Sequence, residues 1–340
     1  MITRTGMFTS LPVSQQRGIA LIMAILIVAL ATILAVSVAS DGYMDQRRTS
    51  VALTVDQAYE IALGGEAEAA AVLGQDQQDP NGVMYDSLNE AWAQPVVFPI
   101  EDYGELRGNL VDLQGRFNLN NLVDANGSTD PEMLTQFTNL LAALQMDTRW
   151  AGIIADWIDA DNNPNFPDGA EDNIYSLRTP AYFTANRPLL STSELLAVVD
   201  GGGNAFGIDN YRKLEPYVSA LPIGTPLNLC TAPPEVLASL ADPGIGEELL
   251  TPSARANITE GRKAGCYTNA NYVDNIFQNR DQSFATLKTK HNGYLAQNSK
   301  YFRANILVTL GTTQLAMYSV LQRTGNGQQV HVISRSFGSP

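Results

Sequence analysis

The chain has 340 residues, of which 45% are hydrophobic and 16% charged, so we expect a folded chain rather than a disordered one. Its formal net charge is −14 at pH 7. Nucleic-acid binding requires a basic face, so this charge argues against a nucleic-acid partner. About 300 residues follow the apolar run near the N-terminus, which is enough chain for two domains.

An uncharged apolar run occupies residues 19–40, directly after Arg17 and Gly18. At about 1.5 Å per helical residue, this run is long enough to cross a hydrocarbon core of about 30 Å. The segment before it is short, polar and mildly basic, with Arg4 and Arg17, and no further basic residue occurs before Arg47. This asymmetry predicts a cytoplasmic N-terminus, with the bulk of the chain beyond the membrane.

The candidate processing junction, Gly18–Ile19, precedes the apolar run, whereas a secretory signal peptide is cleaved after its apolar core. Cleavage there would remove residues 1–18 and leave the apolar helix on the mature chain. The alternative is an uncleaved signal anchor. Small and apolar residues recur at three- and four-residue steps from Asp41 to Leu73, which predicts that the helix continues.

The middle of the chain changes from strands to helices. Residues 75–103 contain several prolines and predict a loop-rich connection. Residues 106–113 predict a strand, followed by a turn at Gln114–Gly115 and a returning strand over residues 116–120. Amphipathic patterns then predict a helical domain set between strands, with helices over residues 131–144, 148–158, 193–199, 210–221, 233–240 and 252–264.

The C-terminal part of the chain shows the two-residue period of strands. Three strand-length runs, residues 299–310, 314–323 and 328–337, predict an antiparallel meander. In the first run, apolar residues alternate with polar ones, which predicts one buried face. The long N-terminal helix is the expected partner of that face.

A dense group of oxygen-bearing side chains predicts a cation site. Carboxylates this close would repel one another without a cation, and Ca²⁺ prefers six to eight oxygen ligands. The loop is not an EF-hand, because Pro164 and Ala170 stand at the two positions that an EF-hand gives to Gly and Glu. The alternative is a solvated acidic loop with helix caps. The candidate ligands for one or two calcium ions are Asp156, Asp159, Asp161, Asn163, Asp168, Glu171 and Asp172.

Two features of the chain resemble a known family. The basic leader and the Gly18–Ile19 junction resemble the processing site of type IV pilins and type II secretion pseudopilins. The motif Asp-Trp-Ile-Asp-Ala-Asp at residues 156–161, followed by Gly-Ala-Glu-Asp at 169–172, is similar to that of the general secretion pathway protein K family, the large minor pseudopilins of type II secretion. The resemblance covers nearly the whole chain and implies a calcium role for these acidic residues.

The resemblance implies an α+β fold in which a pilin-like long N-terminal helix packs on an antiparallel sheet, with a large inserted all-helical domain. The expected division of the chain is as follows: leader peptide, 1–18; transmembrane part of the helix, 19–40; pilin-like helix and first strands, 41–122; inserted calcium-binding helical domain, 123–265; C-terminal sheet, 266–340.

The resemblance also implies a place for the subunit in a fibre. Most pilins carry Glu at the fifth mature position, where it pairs with the N-terminal ammonium of a neighbouring subunit, and in this chain that position is Met23. Because a buried ammonium without a partner is costly, a subunit lacking the carboxylate is expected at the end of the fibre. We therefore expect a non-enzymatic subunit that caps the secretion pseudopilus and supports export across the outer membrane.

The expected partners follow from the same resemblance: two other minor pseudopilins, the major pseudopilin, the prepilin peptidase and the Gram-negative inner membrane, with the outer-membrane secretin or cargo as further candidates. Two alternatives differ in class. One is a tip-located minor pilin of a type IV pilus acting in adhesion, and the other is a membrane-anchored periplasmic enzyme that uses the pair Asp159 and Asp161 to hold a catalytic metal.

The chain has two cysteines, Cys230 and Cys266. If the bulk of the chain lies in an oxidising space, a disulfide between them is expected. The alternative is two buried free thiols.

Overall fold

The computed structural model describes residues 13–76, 85–100, 104–165, 168–240, 250–253, 256, 294–324 and 329–338. The chain forms two compact units, Met1–Tyr59 and Glu60–Pro340. Helix α1, Val13–Gln75, begins in the first unit and ends in the second.

The first unit contributes the apolar part of α1. Its large apolar side chains are exposed, from Ile19 at 63% to Val38 at 72%. The helix contains an 18-residue window of mean hydropathy 3.1, and by length and composition it could cross a membrane. This fits the predicted single-pass anchor.

The second unit contains a five-stranded antiparallel sheet. Its strands are β1, Val96–Ile100; β2, Gly104–Asp112; β7, Tyr301–Leu310; β8, Thr313–Thr324; and β9, Gln329–Phe337. They lie in the order β1-β2-β7-β8-β9. Apolar residues on one face of β7 are buried, including Phe302 at 0% and Ile306 at 4% exposure, which confirms the alternation read from the sequence.

The C-terminal turns of α1 pack on the buried face of this sheet. A Cβ atom on Gly65 would lie 2.9 Å from Leu106 Cδ1, so the glycine allows the helix to approach closely. Next to it, the buried Glu66 accepts hydrogen bonds from Ser319 Oγ at 2.5 Å and from Arg335 Nε and Nη2 at 2.6 and 2.7 Å. The predicted pairing of the long helix with the sheet is confirmed.

A helical insert lies between β2 and β7. Its elements are α2, Pro131–Ala143; α3, Trp150–Ile158; α4, Asp172–Tyr175; α5, Gly207–Leu214; α6, Pro234–Leu240; 3-10 turns at Leu119–Leu122, Thr192–Ala197 and Glu215–Tyr217; β3, Phe117–Asn118; β4, Val218–Ser219; β5, Leu227–Asn228; and β6, Leu295–Ala296. The core of the insert is formed mainly by side chains of α2 and α3 and of the segments that cover them. Short parallel pairs, β3 with β4 and β5 with β6, tie its ends together.

Helix α2 begins where the sequence predicts. The side chain of Asp130 caps the helix by accepting hydrogen bonds from the backbone N–H groups of Glu132 and Met133, and Pro131 occupies the first turn. Phe137 and Leu140 on its apolar face are fully buried. The long helix, the antiparallel sheet and the helical insert together confirm the predicted fold class.

Three sequence predictions of local structure are wrong. The predicted loop before residue 103 contains strand β1. The predicted return strand, 116–120, does not pair with β2, because Phe117 is buried in the helical insert and stacks on Phe137. The helix predicted over 210–221 ends at Leu214, because Pro216 cannot continue it. Most of the helix predicted over 252–264 lies outside the described residues.

Candidate cation site

The acidic side chains lie at the C-terminal end of α3 and in the loop that follows it. Helix α3 is almost entirely buried, and Asp156 on its last turn is 0% exposed. The helix ends at Ile158, and its C-cap residue Asp159 is 3% exposed. The loop then leads to Glu171, which is 2% exposed. Carboxylates are seldom buried this deeply without a partner.

Asp156 organises the loop by accepting hydrogen bonds from it. The backbone N–H of Asn165 donates to both carboxylate oxygens at 3.1 Å, its Nδ2 donates to Oδ1, and the backbone N–H of Ala170 donates to Oδ2 at 3.0 Å. A Cβ on Gly169 would overlap Asp156 Oδ2 and the backbone of Asn165, so only glycine fits there. Asp156 thereby folds the loop back onto α3.

Three carboxylates converge in the fold formed by this loop. Asp159, Asp161 and Glu171 each have an oxygen within 4.8 Å of those of the other two. Among the described residues, Asp159 Oδ1 and both carboxylate oxygens of Glu171 are buried and accept no hydrogen bond. Asp161, in contrast, is exposed. Thr129 Oγ1 donates to the other oxygen of Asp159, Oδ2, at 3.0 Å. Converging carboxylate oxygens of which several accept no hydrogen bond fit a calcium ion.

The pKa values show the cost of this arrangement without a cation. Burial, followed by the charges of Asp156 and Asp159, raises the pKa of Glu171 to about 8. Burial also raises the pKa of Asp159 to about 6 and that of Asp156 to about 7. A bound cation would oppose these shifts by favouring the charged forms.

The remaining candidate ligands have other contacts. Asp168 Oδ1 pairs with Arg149 Nη1 at 3.1 Å, and Asp172 Oδ1 accepts hydrogen bonds from the side chain and backbone of Thr184. The backbone N–H of Asn163 donates to Asp161 Oδ1 at 2.7 Å. The structure therefore brings together three of the seven predicted ligands, while Asp156, Asn163, Asp168 and Asp172 shape the loop around them.

A second acidic group differs from the first because an arginine is paired with it. Asp76, Asp86 and Glu90 also have oxygens within 4.8 Å of one another. In this group Arg323 supplies the positive charge, with Nη1 2.7 Å from Asp86 Oδ1 and Nη2 2.9 Å from Asp76 Oδ2. Within the described part of the chain, no salt bridge reaches Asp159, Asp161 or Glu171.

Three polar residues that hold the acidic loop were not among the candidate ligands: Asn165, Thr184 and Asn186. The side chain of Asn186 donates from Nδ2 to the carbonyl oxygen of Asp161 at 3.2 Å and to Asn162 Oδ1 at 3.0 Å. Its backbone φ of +43° lies in the left-handed region, which asparagine tolerates better than most residues. Thr184 and Asn186 lie outside the acidic stretch, so its spacing carries no signal that would have identified them.

The other predicted sites stay predictions. Gly18 and Ile19 lie in α1, and cleavage between them is not tested by the fold. Cys230 is fully buried, while Cys266 lies outside the described residues, so the pairing of the two cysteines stays a prediction.

The comparisons with known proteins agree on one family. A family model described as type II secretion system (T2SS), protein K, matches residues 115–223. A Pseudomonas aeruginosa protein named type II secretion system protein K is 37% identical over 342 residues, covering 95% of this chain and 93% of that protein. Proteins of the same name from Aeromonas hydrophila and Klebsiella pneumoniae are 33% and 32% identical, covering 91% and 95% of this chain and 93% and 97% of those proteins.

A solved structure has the same fold. It is a chain in the crystal structure of the GspK-GspI-GspJ complex from the enterotoxigenic Escherichia coli type 2 secretion system. The TM-score is 0.70 at 25% identity, and the match covers 86% of this chain and 100% of that chain.

The fold and the acidic loop define a pilin-like subunit whose sheet carries a helical insert. The chain belongs to the type II secretion system protein K family. This confirms the predicted minor pseudopilin of type II secretion, and the alternative of a type IV pilus subunit is wrong.

Proposed function

We propose that this chain caps the tip of the type II secretion pseudopilus, where it supports export of proteins across the outer membrane. The observation that carries the proposal is the match to protein K relatives along 95% of the chain, with the helical insert placed between β2 and β7. An insert of this size leaves little room for a further subunit to stack on the same end.

Met23 supports the same position in the fibre. The side chain at the fifth place after Gly18 has no carboxylate, so it cannot neutralise the N-terminal ammonium of a neighbouring subunit inside the bilayer. A subunit of this kind can accept fibre contacts from one side only. We assign it to the end that needs no such neighbour.

The precursor is held in the inner membrane by the apolar part of α1, and its bulk lies in the periplasm. Prepilin peptidase removes the leader between Gly18 and Ile19, after which the helix is free to enter the fibre. The long exposed apolar helix supports this assignment.

The tip is a complex with other minor pseudopilins. The solved relative belongs to a GspK-GspI-GspJ complex, and the fold match covers the whole of that chain. We infer that this chain likewise binds two different minor pseudopilins and, below them, the major pseudopilin.

Asp159, Asp161 and Glu171 hold one calcium ion. When bound, the ion supplies positive charge that offsets the repulsion of the three converging carboxylates. It also gives a partner to Asp159 Oδ1 and to both carboxylate oxygens of Glu171, which accept no hydrogen bond. Its role is structural, as it joins the end of α3 to the start of α4. Relatives named as secretion components favour this role over a catalytic one.

Co-expression tests the proposal. The full chain is produced with the two other minor pseudopilins of the same secretion system and isolated in detergent through a tag on this chain. Native mass spectrometry is expected to show one copy of each of the three proteins. A chain that stays monomeric under all conditions would overturn the tip-complex assignment.

A further inference from the structure

Three large apolar side chains are exposed in the segment that follows α4. Leu177 is 81% exposed, Phe183 is 68% exposed and Leu190 is 80% exposed. Single exposed apolar residues are common, but how three of them on one short segment are positioned depends on how that segment is held. We call residues 176–190 the apolar segment.

The apolar segment is tied to the acidic loop by Thr184 and Asn186. The backbone N–H and Oγ1 of Thr184 donate to Asp172 Oδ1 at 3.0 and 2.7 Å. The backbone N–H of Asn186 donates to the carbonyl oxygen of Trp157 at 3.2 Å, and its side chain holds the carbonyl oxygen of Asp161. Along the chain, the acceptors on Trp157 and Asp172 lie before and after the three converging carboxylates.

The side chain of Asn186 is held from one end only, through its amide nitrogen. Its Oδ1 is buried and accepts no hydrogen bond among the described residues. Its Nδ2 donates hydrogen bonds to the carbonyl oxygen of Asp161 and to Asn162 Oδ1 in the acidic loop. Asn186 therefore joins the apolar segment to the backbone of the loop that carries Asp161.

The charge of the cluster decides whether these ties persist. Three carboxylates within 4.8 Å of one another repel unless they are protonated or neutralised by a cation. Repulsion acts on the backbone at Asp161 and Glu171, which are next to the acceptors that hold Asn186 and Thr184. A loop that opens to separate the carboxylates must also move those acceptors.

We infer that calcium binding at Asp159, Asp161 and Glu171 orders the apolar segment through Asn186 and Thr184, so that the ion controls how Leu177, Phe183 and Leu190 are presented. The inference rests on the proposed calcium site and deepens it. Asn186 and Thr184 act as positioning residues, and the ion is coupled to a surface rather than only to overall stability.

Hydrogen exchange of the full chain in detergent tests the coupling. Calcium chloride, magnesium chloride and a chelator are compared, and calcium binding is measured separately by titration calorimetry. With calcium, backbone amides of residues 177–190 are expected to exchange about tenfold more slowly than with chelator. The variant Thr184→Val with Asn186→Gly is expected to bind calcium but to lose most of this protection, since glycine accepts the positive φ of residue 186.

A matched control uses another contact of the same segment. Arg178 Nη1 donates to the carbonyl oxygen of Gly203 at 2.6 Å, a contact that includes none of Asp159, Asp161 and Glu171. Arg178→Gln is expected to retain the calcium-dependent protection. Calcium binding with unchanged exchange in residues 177–190, or equal loss of protection in the control, would overturn the coupling alone. No calcium binding in the calorimeter would overturn the proposed site and the coupling with it.

Discussion

Replacing Glu171 by Gln is expected to stabilise the protein in chelator and to remove most of the stabilisation that calcium gives. The glutamate carboxylate is 2% exposed and lies within 4.8 Å of two others. At 4.8 Å, an effective dielectric constant of about 20 gives about 3.5 kcal/mol for each pair of like charges. The pKa of Glu171, about 8, leads to a similar figure. A carboxyl of ordinary pKa is ionised at pH 7, and protonating it on folding costs about 3 kcal/mol of the free energy of unfolding.

The net change is smaller than this repulsion. Asp161 is exposed, so solvent screens part of its repulsion with Glu171. In the variant, a buried glutamine amide without partners costs about 1 kcal/mol. We expect Glu171→Gln to raise the free energy of unfolding by about 1–2 kcal/mol in chelator, a rise in Tm of about 2–8 °C. Wild-type protein at 100 times its calcium Kd gains about 2.7 kcal/mol, which the variant largely loses.

Differential scanning fluorimetry of the full chain in detergent, with calcium and with chelator, measures both effects. Asp168→Asn is the matched control, because its carboxylate pairs with Arg149 outside the converging group. The control is expected to keep the calcium-induced rise in Tm. A Glu171→Gln variant that is less stable than wild type in chelator, or that keeps the full calcium response, would refute the reasoning.

Three further predictions concern pH, the loop glycine and the buried charge on α1. The pKa values of Glu171, Asp156 and Asp159 are raised, so these groups contribute stability below about pH 4.5 that is lost as the pH rises through about 6–8. Because calcium binds the ionised carboxylates, the calcium-induced rise in Tm is expected to be larger at pH 8 than at pH 6, and an equal rise would contradict this. Gly169→Ala is expected to cost about 2–3 kcal/mol and to weaken calcium binding in calorimetry, because the new methyl overlaps the loop; unchanged binding would argue against the loop geometry. Glu66→Ala is expected to lower the free energy of unfolding, measured with denaturant, by about 1–3 kcal/mol, because the buried Ser319 hydroxyl and Arg335 lose the carboxylate that accepts their hydrogen bonds. Loss of an exposed carboxylate elsewhere on α1 costs under about 0.5 kcal/mol.

Features with a strong local signal were predictable from the sequence. Asp130 and Pro131 give the start of α2 through capping and a preset φ angle, both of which act within one turn. The alternation in β7 reports one buried face directly. The acidic cluster was visible because its carboxylates are close in sequence as well as in space.

Features that depend on distant contacts were not predictable. The apolar residues of β1 are flanked by Pro95 and contain Pro99, so they resemble a loop until β2 supplies a pairing partner. Phe117 packs in the helical insert because it stacks on Phe137 of α2. The two-residue period of a strand gives no sign of this contact. Which of the seven candidate ligands converge likewise depends on contacts such as those of Arg149 and Thr184, which come from other parts of the chain.

The tip position is tested most directly by locating the subunit on assembled pseudopili. Full-length chain with a tag at its C-terminus is produced in a secretion-competent host that also makes the other pseudopilins, and sheared filaments are labelled with gold particles against the tag. The account predicts gold at one end of each labelled filament. Gold distributed along the filament length would contradict it.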